Sequence, residues 1–64
     1  MMTKFVIKIF YSNGTKEYFQ GSSQIGDIFT SNIHLAHLFD EYEEAENRIW
    51  AMDGLFQIEK IYIV

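Results

Sequence analysis

The chain has 64 residues, no cysteine, and a formal net charge of −4 from nine acidic and five basic side chains. The lack of cysteine excludes disulfides and cysteine-ligated zinc, and the acidic balance disfavours direct binding to the phosphates of nucleic acids. No apolar run is long enough to span a membrane and the N-terminal segment lacks a signal-peptide pattern, so we expect a cytoplasmic protein. At this length residues 1–64 should form a single domain, whose core is built largely from six Phe, four Tyr and one Trp.

The N-terminal part of the chain predicts a β-hairpin. Residues 4–11 and 15–20 are rich in aromatic and β-branched side chains, and apolar side chains recur with the two-residue period of a strand. The Asn13-Gly14 pair between them is typical of a two-residue type I′ turn, in which both central residues have a positive φ. Such a turn sets which residues face each other, so it also predicts which side chains share a face of the sheet.

An apolar patch on the outer face of this hairpin follows from that turn. The face opposite the core would carry Val6, Phe10 and Phe19, and Tyr62 of the last strand is a further candidate. Exposed apolar patches mark interaction sites and a self-complementary one favours a two-fold dimer, so these side chains are candidates for self-association. The alternatives are that residues 21–30 cover this face, or that the register differs by one residue.

The middle of the chain predicts short elements. Residues 21–26 are typical of a flexible loop, and residues 27–30 of a short edge strand. A cluster of N-cap residues at positions 30–32 then precedes a single helical turn over residues 33–38.

Residues 40–53 predict the main helix, which should cover one face of the sheet. Asp40 and Glu43 match a capping box, and Gly54 matches the glycine that follows many helices. The apolar stripe directed at the sheet consists of Tyr42, Ala45, Ile49 and Met52.

Residues 55–64 predict a long last strand, most simply paired with the first strand. A bulge near Glu59 and Lys60 would turn four apolar side chains toward the core: Phe56, Ile58, Ile61 and Ile63. Without the bulge a different set shares one face: Phe56, Ile58, Tyr62 and Val64. We therefore predict an α+β fold of β-β-α-β order, with a small antiparallel sheet of three to four strands and one main helix packed on one face.

The first two turns of the predicted helix are rich in acids. Acids at a helix N-terminus complement its dipole, but Glu44 and Glu46 exceed what that explains, although Glu44 is spaced to pair with Arg48. Trp50 lies about 120° from the apolar stripe, at about 100° per residue. The candidate partner-binding residues are therefore Glu43, Glu44, Glu46, Asn47 and Trp50. The alternative is an ordinary solvated face, with Trp50 packed on a loop.

Catalysis and metal binding have little support in the sequence. His34, His37 and Asp40 have the spacing of metal ligands on a helix, but Asp40 is better explained as a cap that interrupts that helix. The serines lack a nucleophile motif, no glycine-rich phosphate loop occurs, and paired carboxylates are found only on the exposed helix. We expect a protein that is not an enzyme and has no metal site or other cofactor, with a histidine-based metal module as the third alternative.

The pattern A-x-x-F-D-x-Y-E-E-A-E, with a hairpin before it and a strand after it, resembles small proteins common in phages and mobile elements of low-GC Gram-positive bacteria. The resemblance is confined to residues 32–46. It implies that Ala36 and Phe39 pack under the helix and that Ala45 faces the sheet. It carries over no functional residue, but it implies a class of early phage proteins that bind and inhibit host proteins, including acidic inhibitors of CRISPR effectors and other anti-phage systems.

We therefore expect a small acidic binding protein that inhibits or modulates a larger host protein, such as a nucleic-acid-binding effector of a defence system, through the acidic helix face. It should bind neither nucleic acid nor a membrane directly. The alternative is a self-associating homo-oligomer without inhibitor activity, in particular a homodimer formed through the apolar sheet face.

Overall fold

The computed structural model of the protein describes residues 2–64, which form one antiparallel sheet and one α-helix. The elements in chain order are β1 (Met2–Phe10), β2 (Lys16–Ser23), β3 (Gly26–Thr30), a one-turn 3₁₀ helix (Ile33–Leu35), α1 (Tyr42–Ile49) and β4 (Phe56–Ile63). The strand order is β3-β2-β1-β4, so the predicted α+β class and the pairing of the last strand with the first are confirmed. No helix within the described residues is long and apolar enough to cross a membrane.

The turn between β1 and β2 differs from the predicted type I′ turn. Tyr11 N donates to Thr15 O at 2.9 Å, so the loop contains three residues rather than two. Gly14 has a φ of 88°, whereas Asn13 keeps a negative φ, which is the pattern of a three-residue hairpin with glycine in the left-handed region. The Asn13 carboxamide oxygen accepts from Thr15 N at 3.0 Å and thereby stabilises this longer loop.

The longer loop shifts the β1–β2 register by one residue, and the shift changes which side chains share a face. Lys8 faces Tyr18, whereas the predicted two-residue loop would have placed it opposite Phe19. Because side chains alternate along a strand, Phe19 moves to the face that carries Ile7, while Val6 stays on the other face. Val6 is 0% exposed and Phe19 is 3% exposed, each in a separate core cluster.

The apolar patch predicted for self-association is therefore wrong in its composition. Its four members do not meet on one surface, because Val6 and Phe19 are buried on opposite faces of the sheet. Phe10 and Tyr62 are exposed, but on different faces, and Phe10 lies beside the Lys8 ammonium at 5.6 Å from the ring centre.

The sheet opens between β1 and β2, and residues 37–39 fill the gap. Phe5 and Phe39 exchange two backbone hydrogen bonds of 2.9 Å, and His37 N donates to Phe19 O at 2.9 Å. This segment satisfies backbone groups on both strands that would otherwise have no partner. The chain thus passes from the 3₁₀ helix on one face of the sheet to α1 on the other.

Each face of the sheet carries its own core cluster. Under α1 the buried residues are Ile7, Phe19, Phe39 and Ala45, joined by partly buried side chains that include Phe29, Ile49, Phe56 and Ile58. Under the 3₁₀ helix the cluster consists of Val6, Tyr18 and Ala36 with Ile33 and Ile61. Phe39 packs under α1 and Ala45 faces the sheet, as the resemblance implies, but Ala36 packs on the opposite face.

Helix α1 is shorter than predicted and begins later. Glu41 is the N-cap, and the capping box is formed with Glu44, whose carboxylate accepts from Glu41 N at 3.0 Å. Asp40, the predicted cap, instead forms an ion pair with Lys4. Gly54 lies beyond the helix in the following loop with a φ of 138°, and a Cβ there would come within 3.2 Å of the Phe56 ring. The helix ends at Ile49, five residues before the glycine that was predicted to terminate it.

The two outer strands differ from their predicted form in small ways. β3 is the edge strand expected at residues 27–30, but β2 continues through part of the segment predicted as a loop. β4 pairs with β1 in one continuous register, from Met2 opposite Ile63 to Ile9 opposite Phe56, so the proposed bulge is absent from these strands.

Candidate interaction site at the helix and edge strand

The outer side of α1 carries four of the predicted partner-binding residues. Glu43, Glu46, Asn47 and Trp50 follow the i, i+3, i+4, i+7 spacing of one helix face, and all four are exposed. Trp50 is 84% exposed, so the alternative in which it packs on a loop is wrong. A tryptophan in water at the end of a helix is unusual for a side chain of this apolar area.

Glu44 belongs to the helix cap rather than to this surface. Its carboxylate closes the capping box with Glu41 and does not pair with Arg48. Arg48 instead forms an ion pair with Asp27 and donates to Ser22 Oγ at 2.7 Å. The guanidinium also lies 4.8 Å from the centre of the Phe19 ring, so it ties α1 to β2 and β3.

The negative charge that is not compensated locally is concentrated at and after α1. Within residues 2–64, Glu43, Glu46 and Asp53 form neither an ion pair nor a side-chain hydrogen bond. The other carboxylates are bound: Asp27, Asp40 and Glu59 to cations, Glu17 to Tyr11, and Glu41 and Glu44 in the helix cap. The excess of acid in the composition therefore appears on the same part of the surface as Trp50.

An open cleft of about 550 Å³ lies between α1 and β4. Side chains from both elements line it, among them Tyr42, Glu46, Ile49, Trp50, Phe56 and Ile58. Its floor is apolar, and its rim presents one carboxylate and one indole ring. This arrangement suits a cation on an aliphatic stem, because the stem can pack on the floor while the charge meets Glu46 and the face of Trp50.

A second hollow of about 430 Å³ lies on the opposite face of the sheet, at the C-terminal end of β4. Its walls come from the 3₁₀ helix, the segment after it and the β4 residues that face this side: Ile33, His34, Leu38, Ile61 and Ile63. Sequence reasoning did not predict it. The signal was present in Ile61 and Ile63, which are out of phase with Phe56 and Ile58 and therefore face the other side of an unbulged strand.

The two histidines lie in different environments. The His37 ring contacts Phe39 at 4.5 Å between ring centres and Phe19 at 6.1 Å, whereas His34 lines the second hollow. Across residues 2–64 no group of three His, Cys, Asp or Glu side chains is placed to hold a metal ion.

Three features thus meet along one border of the molecule: the acidic outer face of α1, the exposed Trp50 ring and the cleft beside β4. These features come from α1 and β4, which are joined by the loop that carries Asp53. A scan against protein-family models finds no match to this sequence, and neither a search of curated proteins nor a search of solved structures finds one.

Proposed function

We propose that this chain is a non-enzymatic binding protein that inhibits or modulates a larger, basic protein through the outer face of α1 and the α1–β4 cleft. The observation that carries the proposal is the exposed Trp50 ring beside Glu46 at the rim of an apolar cleft. Tryptophan is enriched among the residues that dominate binding energy at interfaces, and burying its ring against a partner removes a large apolar area from water.

The charge distribution supports a basic partner. Glu43 and Glu46 form no ion pair within residues 2–64, so a partner's Lys or Arg could approach without breaking an existing one. Complementary charge accelerates association and discriminates against acidic surfaces. The lining of the cleft supports binding rather than catalysis. It is mostly apolar, and its titratable side chains are Glu46 and Tyr42, with no nucleophile paired to a base among the lining residues.

The inhibitory role rests on the form of the acidic surface and on the resemblance of residues 32–46 to small phage proteins. A helix that presents carboxylates beside an aromatic ring can occupy a basic groove that otherwise holds nucleic acid phosphates. The partner we propose is therefore a nucleic-acid-binding host protein, such as an effector of a defence system, acting in the host cytoplasm.

Affinity measurements with matched variants test this proposal. The immobilised chain captures candidate partners from a lysate of a low-GC Gram-positive host, and each captured protein is then purified and titrated against the wild type and the variants. We expect Trp50→Ala to weaken binding at least about tenfold, since truncated hot-spot residues typically cost about 2 kcal/mol or more. The double variant Glu43→Gln, Glu46→Gln should bind more weakly and with a shallower salt dependence.

A charge-matched control separates the effect of the carboxylates on α1 from the effect of the overall net charge. Gln24→Lys with Ser31→Lys changes two exposed residues outside α1 and alters the net charge by the same amount as the glutamine pair. If the control weakens binding as much as the helix variant, or if Trp50→Ala binds like the wild type, the proposed surface is wrong. The inhibitory part fails separately if a saturating amount of the chain leaves the partner's binding to nucleic acid unchanged.

A further inference from the structure

The outer edge of β4 is open. β4 is the last strand in the order β3-β2-β1-β4, and in the described part of the chain no backbone or side-chain group hydrogen-bonds to that edge. Eight consecutive residues of β4 pair with β1 in one register, without a bulge or a proline to interrupt the edge. Such an edge is a ready template for another extended chain.

The direction of each backbone group in β4 can be assigned. Phe10 N donates to Leu55 O at 3.3 Å, so this pair is hydrogen-bonded, and bonded and non-bonded pairs alternate along an antiparallel ladder. The residues that bond to β1 are therefore Gln57, Glu59, Ile61 and Ile63. The residues whose N–H and C=O groups point away from the sheet are Phe56, Ile58, Lys60 and Tyr62.

Hollows flank this edge on both faces of the sheet. Ile58 lines the α1–β4 cleft on the helix side, and Ile61 lines the second hollow on the other side. A strand added beside β4 would send alternate side chains to the two faces. The residues opposite Ile58 and Ile61 would be three positions apart in that strand, so one would enter each hollow.

We propose that β4 accepts an extended segment of the partner protein as a fifth strand. A Lys or Arg side chain of that segment enters the α1–β4 cleft between Glu46 and Trp50. An apolar side chain three residues away enters the second hollow beside Ile61. This inference rests on the proposed function, because it specifies how a basic partner engages the same site, and main-chain pairing with alternate side chains in pockets is a recurring mode of peptide recognition.

Charge complementarity favours a basic partner over a second copy of this chain. The cleft rim carries Glu46 with Glu43 one turn away, and neither forms an ion pair within residues 2–64. A second β4 would bring only one cation, Lys60, which already lies 5.7 Å from the centre of its own Tyr62 ring. It would also bring a second chain with a net charge of −4.

A designed peptide tests the inference without a known partner. The probe is an eight-residue capped peptide, matched to the length of β4, of alternating Thr and Val with one Lys and one Leu three positions apart. We expect it to slow hydrogen exchange at the amides of Phe56, Ile58, Lys60 and Tyr62, because their N–H groups gain partners. A control peptide with Lys and Leu two positions apart, which places both on one face, should bind more weakly.

Two variants of one residue separate strand addition from side-chain contact. Lys60→Pro removes an outward N–H without removing a bond to β1, a position where edge strands tolerate proline. Lys60→Ala removes the side chain and keeps the N–H. We expect the proline variant to lose at least about tenfold in peptide affinity relative to the alanine variant, with the fold of both checked by circular dichroism.

Each result supports or overturns the inference. Lack of peptide binding, or binding that leaves the four outward amides unprotected, overturns strand addition. Protection of the same amides that rises with protein concentration and without peptide also overturns it, in favour of a second copy. A partner whose binding depends on Trp50 but is equal for Lys60→Pro and Lys60→Ala leaves the proposed function standing and the added strand wrong.

Discussion

The two edges of the sheet are built differently. β3 has five residues, its pairing with β2 shifts register between Phe19 and Gly21, and the Asp27 carboxylate on it is held by Arg48. β4 has eight residues in unbroken register, and no described residue pairs with its outer side. Short length, irregular pairing and charge are the usual means by which proteins prevent edge-to-edge association. β3 has all three, whereas β4 is long and regular and carries charge only at Glu59 and Lys60, beside the cleft and the exposed Trp50.

Helix α1 meets the two edges in different ways. One side of the helix reaches β2 and β3 through Arg48, while the opposite side presents Glu46 and Trp50 above the cleft next to β4. The helix itself packs over β1 and β4 and reaches β3 through the long Arg48 side chain, so the Trp50 ring lies at the β4 border of the sheet. In a domain of this size few residues can be spared from the core, so an open edge beside an exposed tryptophan supports the proposed binding role.

Removing the Arg48 clamp, meaning the contacts of Arg48 with Asp27, Ser22 and Phe19, should have the largest effect on stability. Arg48→Ala deletes an ion pair, the hydrogen bond to Ser22 and the stacking on Phe19, and we expect it to lower the free energy of unfolding by about 2 kcal/mol. Urea denaturation measures the change. Arg48→Lys serves as the control, because it keeps the charge but cannot reproduce the planar contacts. Its free energy of unfolding should lie between those of the wild type and Arg48→Ala.

Hydrogen exchange should show where the Arg48 clamp acts. In Arg48→Ala the β3 amides should exchange faster, while the β4 amides bonded to β1 change only as far as global stability changes. Equally faster amide exchange in β3 and β4 would show that Arg48 does not stabilise the β3 edge selectively.

The open edge of β4 should be visible in the free protein as alternating exchange. We expect fast amide exchange at Phe56, Ile58, Lys60 and Tyr62. The intervening residues should be slow, because their N–H groups bond to β1. Nuclear magnetic resonance resolves the alternation directly, without any substitution. Uniform protection along β4 in dilute solution would mean that its outer edge already has a partner.

The smallest expected effect lies at the hairpin tip, which belongs to neither edge. The Tyr11 hydroxyl donates to the Glu17 carboxylate at 2.6 Å. This hydrogen bond, followed by burial and by the charge of Glu17, raises the pKa of Tyr11 above the ordinary 10.0. Glu17→Gln should therefore return the pKa of Tyr11 toward that value, as followed by the ring resonances during a pH titration.

The sign of the accompanying stability change is set by the direction of the shift. Because the folded-state pKa is raised, the stabilisation from the Tyr11–Glu17 bond is complete below 10.0 and is lost as the pH rises through the folded-state value. The Glu17→Gln variant should show a weaker loss of stability over that alkaline range. An identical pH dependence in both proteins would show that the bond does not form in solution.

Local patterns in the sequence were sufficient for the element types and for part of the site. The strand period, the acidic start of α1 and the spacing of Ala45 and Ile49 depend on residues close in the chain, which is why they were predictable. The same helical spacing placed Trp50 away from the core, and the structure leaves that side chain exposed. The helix boundaries moved because Glu41 and Glu44 satisfied the same capping rule as Asp40 and Glu43, and local sequence does not distinguish the two.

The tertiary structure decided what depends on register and on long-range partners. One extra residue in the Asn13-Gly14 loop exchanged the faces of the second strand, which buried Phe19 under α1 and removed the predicted apolar patch. The ion pair of Asp40 with Lys4 and that of Arg48 with Asp27 join residues far apart in the chain. The sequence by itself determined that the protein is an acidic α+β domain with a tryptophan outside the apolar stripe of its helix. Which edge of the sheet stays open beside that tryptophan depends on how the whole chain packs.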